Sequence, residues 1–318
     1  MKLPTIADVR NAAKCIAPYI HQTPVLTCSS INAITGASIF FKCENFQKVG
    51  AFKARGASYA ALLLSDEQRK NGLATHSSGN HAQAVAYIAQ KLQIPAYIVM
   101  PNNSPKVKIA AVKEYGAQLI FCGNTIQDRE QTVAEVVKNK QAHFIHPYNN
   151  QAVIAGQGTA ALELLQAQPH LDYLLAPIGG GGLVSGTAIT TKAISPSTVI
   201  IGIEPALASD AYLSVKSGKI EPQMPPITIA DGLRTNLGNI TFACIQQYVD
   251  DIVIVSEQSI IAAMKMIWQR MKIIIEPSCA VPLAAILEQK IEVKGKKVGI
   301  ILTGGNVDVE SVSSLFQA

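Results

Sequence analysis

The chain has 318 residues, 48% of them hydrophobic and only 15% charged, a balance that excludes disorder and allows two modest domains or one large one. Its net charge of +5 comes from scattered lysines and arginines with no basic block, which argues against a nucleic-acid partner. No apolar run approaches the roughly 18 residues of a membrane span, and Met1-Lys2-Leu3-Pro4-Thr5 carries no signal-peptide stretch, so a cytoplasmic protein is expected.

In chain order, Ile6 to Ile20 reads as an amphipathic helix, Ala37 to Cys43 as a strand and Lys53 to Leu64 as a helix of small residues. Gly72 to His76 enters a strand that turns at Ser77-Ser78-Gly79-Asn80, followed by a helix from His81 to Leu92. Pro95–Met100, Gln118–Cys122 and Ala142–His146 read as further strands, separated by helices over Lys106–Tyr115 and Asp128–Lys138. Later strands are expected near Tyr173–Ile178, Val199–Ile203, Ile252–Val255 and Val298–Leu302. Helix and strand alternate throughout, which predicts an α/β fold with largely parallel sheets. The repeated steps within 71–149 suggest a small domain inserted in a larger one made of 1–70 plus 150–318. The six cysteines, Cys15, Cys28, Cys43, Cys122, Cys244 and Cys279, show no metal-type spacing and read as small thiols in a reducing compartment.

Four segments carry chemistry. Gly179-Gly180-Gly181-Gly182 lies between an apolar run and the helical stretch Leu183–Ala193. Glycine lets backbone N–H groups approach an anion, and the unpaired first N–H groups of a helix attract one. The run is neither a Walker loop nor a G-x-G-x-x-G fingerprint, so it reads as a phosphate cradle or a plain turn. Lys53 stands among Ala51, Phe52, Ala54 and Gly56. Desolvation there would favour the neutral, nucleophilic amine; alternatively the side chain snorkels to the surface. Ser77-Ser78-Gly79-Asn80-His81 sits at a strand-to-helix turn, where α/β proteins place ligand groups and where Ser78 or Asn80 could equally cap the helix. Thr303-Gly304-Gly305-Asn306-Val307-Asp308 follows the last strand.

Together with Ala155-Gly156-Gln157-Gly158-Thr159, Gly202-Ile203-Glu204-Pro205, Ala230-Asp231-Gly232-Leu233-Arg234 and Glu276-Pro277-Ser278, these segments resemble the fold-type II pyridoxal-phosphate enzymes, in the serine/threonine dehydratase and serine racemase group. The resemblance runs over nearly the whole chain and implies large and small domains of the tryptophan synthase β type. It implies that Lys53 holds the cofactor as an internal aldimine and then removes the substrate α-proton. Gly179 to Gly182 would bind the phosphate, which would serve as acid for the leaving hydroxyl. Asn80 would meet the ring 3-hydroxyl, Phe52 would border the cofactor, and Thr303 would stand beside the pyridine nitrogen. The substrate carboxylate would lie on Ser77, Ser78, Gly79, Asn80 and His81. Ser78 would face the other side of the cofactor and, in racemases, returns a proton there. Glu204, Ala208 and Asp210 resemble a site for Mg²⁺, Mn²⁺ or Ca²⁺.

The activity so implied is deamination of L-serine or L-threonine to a 2-oxo acid and ammonia. Serine racemisation with a dehydratase side activity is an alternative, and Ala51, where many relatives have serine, points to L-threo-3-hydroxyaspartate ammonia-lyases. A catalytically idle pyridoxal-phosphate sensor or carrier is the non-enzyme reading. The chain ends soon after Asp308, so a catabolic or racemase-like form without an appended regulatory domain is expected. A homodimer is expected too, and Gln83 and Tyr115 match positions near a nucleotide-effector site.

Overall fold

The computed structural model describes residues 2–104, 106–222 and 227–316. It contains the strands β1 (Val25–Leu26), β2 (Ser38–Cys43), β3 (Leu73–His76), β4 (Ala96–Pro101), β5 (Gln118–Cys122), β6 (His143–Phe144), β7 (Tyr173–Pro177), β8 (Val199–Pro205), β9 (Asp251–Val255) and β10 (Lys297–Leu302). They form a six-stranded sheet, order β1-β2-β10-β7-β8-β9, and a four-stranded sheet, order β5-β4-β3-β6. All neighbours pair in parallel except β1 with β2. The fold is therefore α/β with two mostly parallel sheets, as the alternating pattern implies.

The central strands are apolar on both faces because helices cover both faces. β4 is buried along its whole length, and the helix Pro277–Leu287 is buried over Pro277–Ile286. Buried Ile39, Phe41, Leu175, Ile203, Ile300 and Leu302 meet Met264, Ile267 and Leu283 in the main core. Ala82, Val85, Ile88, Ile98 and Met100 belong to the core beside the small sheet.

Some boundaries differ from the sequence reading for identifiable reasons. The first helix stops at Ile16 and continues as a 3-10 turn over Ala17–Tyr19, because Pro18 has no N–H for the helical ladder. The helix read over Asp128–Lys138 starts earlier, at Ile126, where Thr125 and Asp128 form a reciprocal capping box. The strand expected over Ala142–His146 pairs only at His143–Phe144; His146 Nδ1 instead accepts from Tyr148 N and Asn149 N, which turns the chain away from the sheet.

Parallel strands all point one way, so their carboxyl ends gather on one edge. The register Leu302↔Cys43 and Ile300↔Leu175 aligns the ends of β2, β10 and β7. Lys53, Thr303 and the tetraglycine run lie beyond those ends, and Ser77 follows β3 directly.

Candidate active site

Lys53 opens the helix Lys53–Leu62. Its entry is pinned to the last strand: Phe52 N donates to Thr303 O at 3.0 Å, and Ala51 bridges to Gly304. Two residues on, Arg55 is fully buried and binds Glu44 at 2.7 and 2.8 Å, Glu163 at 2.7 and 2.8 Å, and Thr159 at 3.1 Å. Lys42 joins through Glu163 at 2.6 Å. The Lys53 amine donates to Pro147 O at 2.7 Å and lies 5.2 Å from the Phe52 ring centre. Burial pushes its pKa down to about 8, against the pull of the Glu276 carboxylate.

The tetraglycine run links β7 to the helix Gly182–Ile194. Gly181 sits at φ 85°, and a Cβ on Gly180 would stand 2.3 Å from the Tyr148 ring, so neither tolerates a side chain. The helix start is buried, has no side-chain cap and carries no acidic residue in its first turn. Free N–H groups at a buried helix start call for an anion.

The turn after β3 brings Ser77, Ser78, Gly79 and Asn80 to half-buried positions. Ser77 Oγ accepts from Gly79 N at 3.3 Å, and a Cβ on Gly79 would meet nothing within 4 Å, so the turn faces open space. Ser78 makes no hydrogen bond through its hydroxyl among the described residues. His81 is buried, and its Nε2 reaches Ile145 O at 3.1 Å. A carbonyl only accepts, so Nε2 carries the proton, and what His81 offers a ligand at the turn is its main-chain N–H. Burial and the nearby Lys53 charge hold the ring well below its ordinary pKa.

His146 and His76 stand close by, 6.2 Å apart between ring centres. Burial pushes each down to about 4, helped at His146 by His76 and Lys53 and at His76 by the Arg129 guanidinium. All three histidines are thus neutral at pH 7. Arg129 Nε is buried with no hydrogen-bond partner among the described residues.

Thr303 is buried, with its hydroxyl 3.3 Å from Cys279 Sγ. Asn80 donates through Nδ2 to both oxygens of Glu276, at 3.0 and 3.1 Å. Burial and the Asp231 charge raise Glu276 to about 7. Asp231 itself is paired with Lys108.

Glu204, Ala208 and Asp210 form a separate cluster after β8. Glu204 accepts from Ala211 N at 3.0 Å and Tyr212 N at 2.8 Å. Burial, and at Glu204 the Asp210 charge, raise the two carboxyls to about 8 and about 6. Gln83 is buried, and Tyr115 meets Tyr87 edge-on at 5.8 Å; neither side chain hydrogen-bonds the Lys53 cluster among the described residues.

The structure therefore joins Phe52 to Thr303 and Asn80 to Glu276 and Asn306, and places Lys53 within electrostatic reach of Glu276 and His81. It adds Glu276 and Asn306, which stand inside the recognised E-P-S and T-G-G-N-V-D segments without having been given roles. His146 and Tyr148 carry no local signal, because they come near Lys53 and Gly180 only through tertiary packing.

The family model for pyridoxal-phosphate dependent enzymes matches residues 16–304. Serine racemase of Dictyostelium discoideum is 47% identical, covering 98% of this chain and 97% of its own. L-threo-3-hydroxyaspartate ammonia-lyase of Saccharomyces cerevisiae is 47% identical, covering 99% and 97%. The structure of maize serine racemase superposes with a TM-score of 0.96 at 44% identity, covering 99% of this chain and 98% of that one. With most of its length matched and its fold shared, the chain belongs to the pyridoxal-phosphate dependent enzymes of fold type II, in the group of serine/threonine dehydratases and serine racemases.

Proposed function

We propose that the protein is an ammonia-lyase that converts L-threo-3-hydroxyaspartate to oxaloacetate and ammonia, with L-serine and L-threonine as lesser substrates. The residues present fit pyridoxal phosphate. The buried, uncapped helix start and its glycines suit the phosphate, the buried amine of Lys53 suits the aldehyde, and the Asn80 amide and Thr303 hydroxyl suit the ring oxygen and nitrogen. When bound, the cofactor supplies an electron sink for the substrate α-carbon.

The protein's own part follows from its groups. Depression of Lys53 to about 8 leaves far more neutral amine at pH 7 than an exposed lysine has, so Lys53 can both hold the aldehyde and take up a proton. The donors of the Ser77–His81 turn orient the α-carboxylate. Neutral His76, His81 and His146 keep positive charge away from the amine.

The choice of a dicarboxylic substrate rests on one observation: Arg129 has a buried N–H with no partner among the described residues, and its charge acts on His76. A second carboxylate would satisfy it, whereas the serine side chain would not. The two hydroxyaspartate and serine activities among the relatives fit this choice better than a dedicated serine/threonine dehydratase does. Arg129→Leu is expected to raise KM for hydroxyaspartate by about ten- to a hundredfold and that for serine by less than about threefold. Equal changes for both substrates in steady-state assays would remove the argument.

Serine racemisation is the second reading, favoured by the Ser78 hydroxyl, which is free to serve the face opposite Lys53. Chiral chromatography of a reaction with L-serine tests it: D-serine supports it, and pyruvate without D-serine removes it.

Glu204, Ala208 and Asp210 fit a hard divalent cation, because Asp210 Oδ1 is buried without a hydrogen-bond partner among the described residues, beside a second carboxylate. Removing divalent ions with EDTA is expected to lower Tm by about 5 °C, and Mg²⁺ should restore it. In Asp210→Asn neither treatment should move Tm; an EDTA response in that variant would place the ion elsewhere. A homodimer is part of the same reading.

A further inference from the structure

Val49 is a β-branched residue held at φ 56°, ψ 16°, a left-handed conformation that such side chains rarely adopt. The turn directs its carbonyl to Asn306, whose Nδ2 donates to Val49 O at 2.7 Å. Because a carbonyl only accepts, Asn306 has to present its amide nitrogen here. The same nitrogen donates to Asn80 Oδ1 at 2.9 Å. Asn80 must then turn its own nitrogen the other way, where Glu276 accepts at 3.0 and 3.1 Å. Asparagine orientation is ordinarily ambiguous; in Asn80 it is set from two sides, by Val49 O through Asn306 and by the Glu276 carboxylate. Gly50 makes the seat possible, since a Cβ there would lie 2.8 Å from Asn306 Oδ1.

The two oxygens of one carboxylate lie too close together to take the diverging N–H groups of an amide separately. One N–H of Asn80 therefore serves Glu276, and the other is left over. We infer that Val49, Asn306 and Glu276 form an orientation relay that presents this remaining N–H to the cofactor ring, with Asn306 as the positioning residue. The inference rests on the reading that Asn80 meets the ring oxygen of pyridoxal phosphate.

Asn306→Asp reverses the relay. Its carboxylate cannot donate to Val49 O or to Asn80 Oδ1, so it would accept from the Asn80 nitrogen and turn that amide over. Asn306→Ala removes the Asn306 half of the bias, leaving Glu276 to hold the Asn80 amide alone. The readouts are the visible absorption band of the bound cofactor and the Kd of pyridoxal phosphate, measured by equilibrium dialysis. Asn80→Ala is expected to shift the band and weaken binding by about ten- to a hundredfold, and Asn306→Asp should reproduce both changes. Combining Asn306→Asp with Asn80→Ala should add less than about threefold, because the relay acts only through that amide. If Asn306→Asp does not fold, Asn306→Ala carries the same comparison with a smaller shift. An unchanged band in the Asn306 variants alongside a shifted one in Asn80→Ala would overturn the relay alone. A full additional loss in the double variant would do the same. A silent Asn80→Ala would instead overturn the reading of Asn80, and the relay with it.

Discussion

Lys53→Ala is expected to abolish the absorbance of lysine-bound pyridoxal phosphate and to lower kcat by about 10⁴-fold or more, since on the proposed reading it removes a covalent anchor and a proton acceptor together. The protein should nevertheless stay folded. Lys53 is bound to one carbonyl, Pro147 O, and its replacement leaves the Arg55 cluster and the Thr303 pairing of its helix entry in place. An alanine variant that kept both the absorption band and turnover would show that another amine holds the cofactor.

The second large effect concerns stability. Arg55→Leu removes the guanidinium that neutralises Glu44 and most of Glu163, and Glu44 has no access to water. Breaking a buried ion cluster by removing one partner costs about 3–5 kcal/mol, and that loss should appear in urea unfolding. The pH dependence supplies a sign. In the wild type, burial raises Glu44, but the Arg55 charge and hydrogen bonds outweigh it, so its pKa lies below 4.5. That depressed carboxyl contributes stability above about pH 4.5, lost only as pH falls through its lower folded value. Without Arg55, burial, the largest influence on Glu44, is opposed only by Lys42 and the Thr23 hydrogen bond and raises it, so the variant's deficit should grow from pH 5 to pH 8. A deficit under about 1 kcal/mol at both pH values would mean that water reaches Glu44 after all. Loss of activity should follow, because Arg55 anchors the helix that begins at Lys53.

Much of this was legible in the sequence because the informative segments are local. A strand, four glycines and a small-residue helix can be read from one stretch of chain, as a phosphate cradle or a plain turn, and the structure builds that stretch as β7, Gly179–Gly181 and the helix Gly182–Ile194. Lys53 stood out because its neighbours are small and apolar, and the helix Lys53–Leu62 buries Ala54 through Ala61. The less legible features depend on distant partners. Arg55 looks like any helical arginine until Glu44 and Glu163, 11 and 108 residues away, close on it. The helix Gln151–Ala167 escaped the periodicity reading, since its buried face continues through Val153–Leu162 and includes Gly156 and Gly158, leaving little amphipathic contrast. Glu276 and Asn306 lie in recognisable motifs, but their joint hold on Asn80 spans 196 and 226 residues. Val49's left-handed backbone has no sequence signature, because glycine or asparagine ordinarily marks that conformation.

On the proposed reading, the tetraglycine run and Lys53 hold the cofactor whichever amino acid is the substrate. On that reading, discrimination falls to groups such as Arg129, whose expected ten- to hundredfold effect, about 1.4–2.7 kcal/mol, is comparable to the ~1–3 kcal/mol of a methyl group.

The most direct test of the central claim is 2-oxo acid release by the purified, pyridoxal-phosphate-loaded protein presented with L-threo-3-hydroxyaspartate, L-serine and L-threonine in parallel. The account predicts oxaloacetate and ammonia in equal amounts from hydroxyaspartate, with the highest kcat/KM of the three substrates. A protein that keeps its lysine-bound cofactor band yet releases no 2-oxo acid from any of them would contradict the account and point to an idle cofactor-binding homologue.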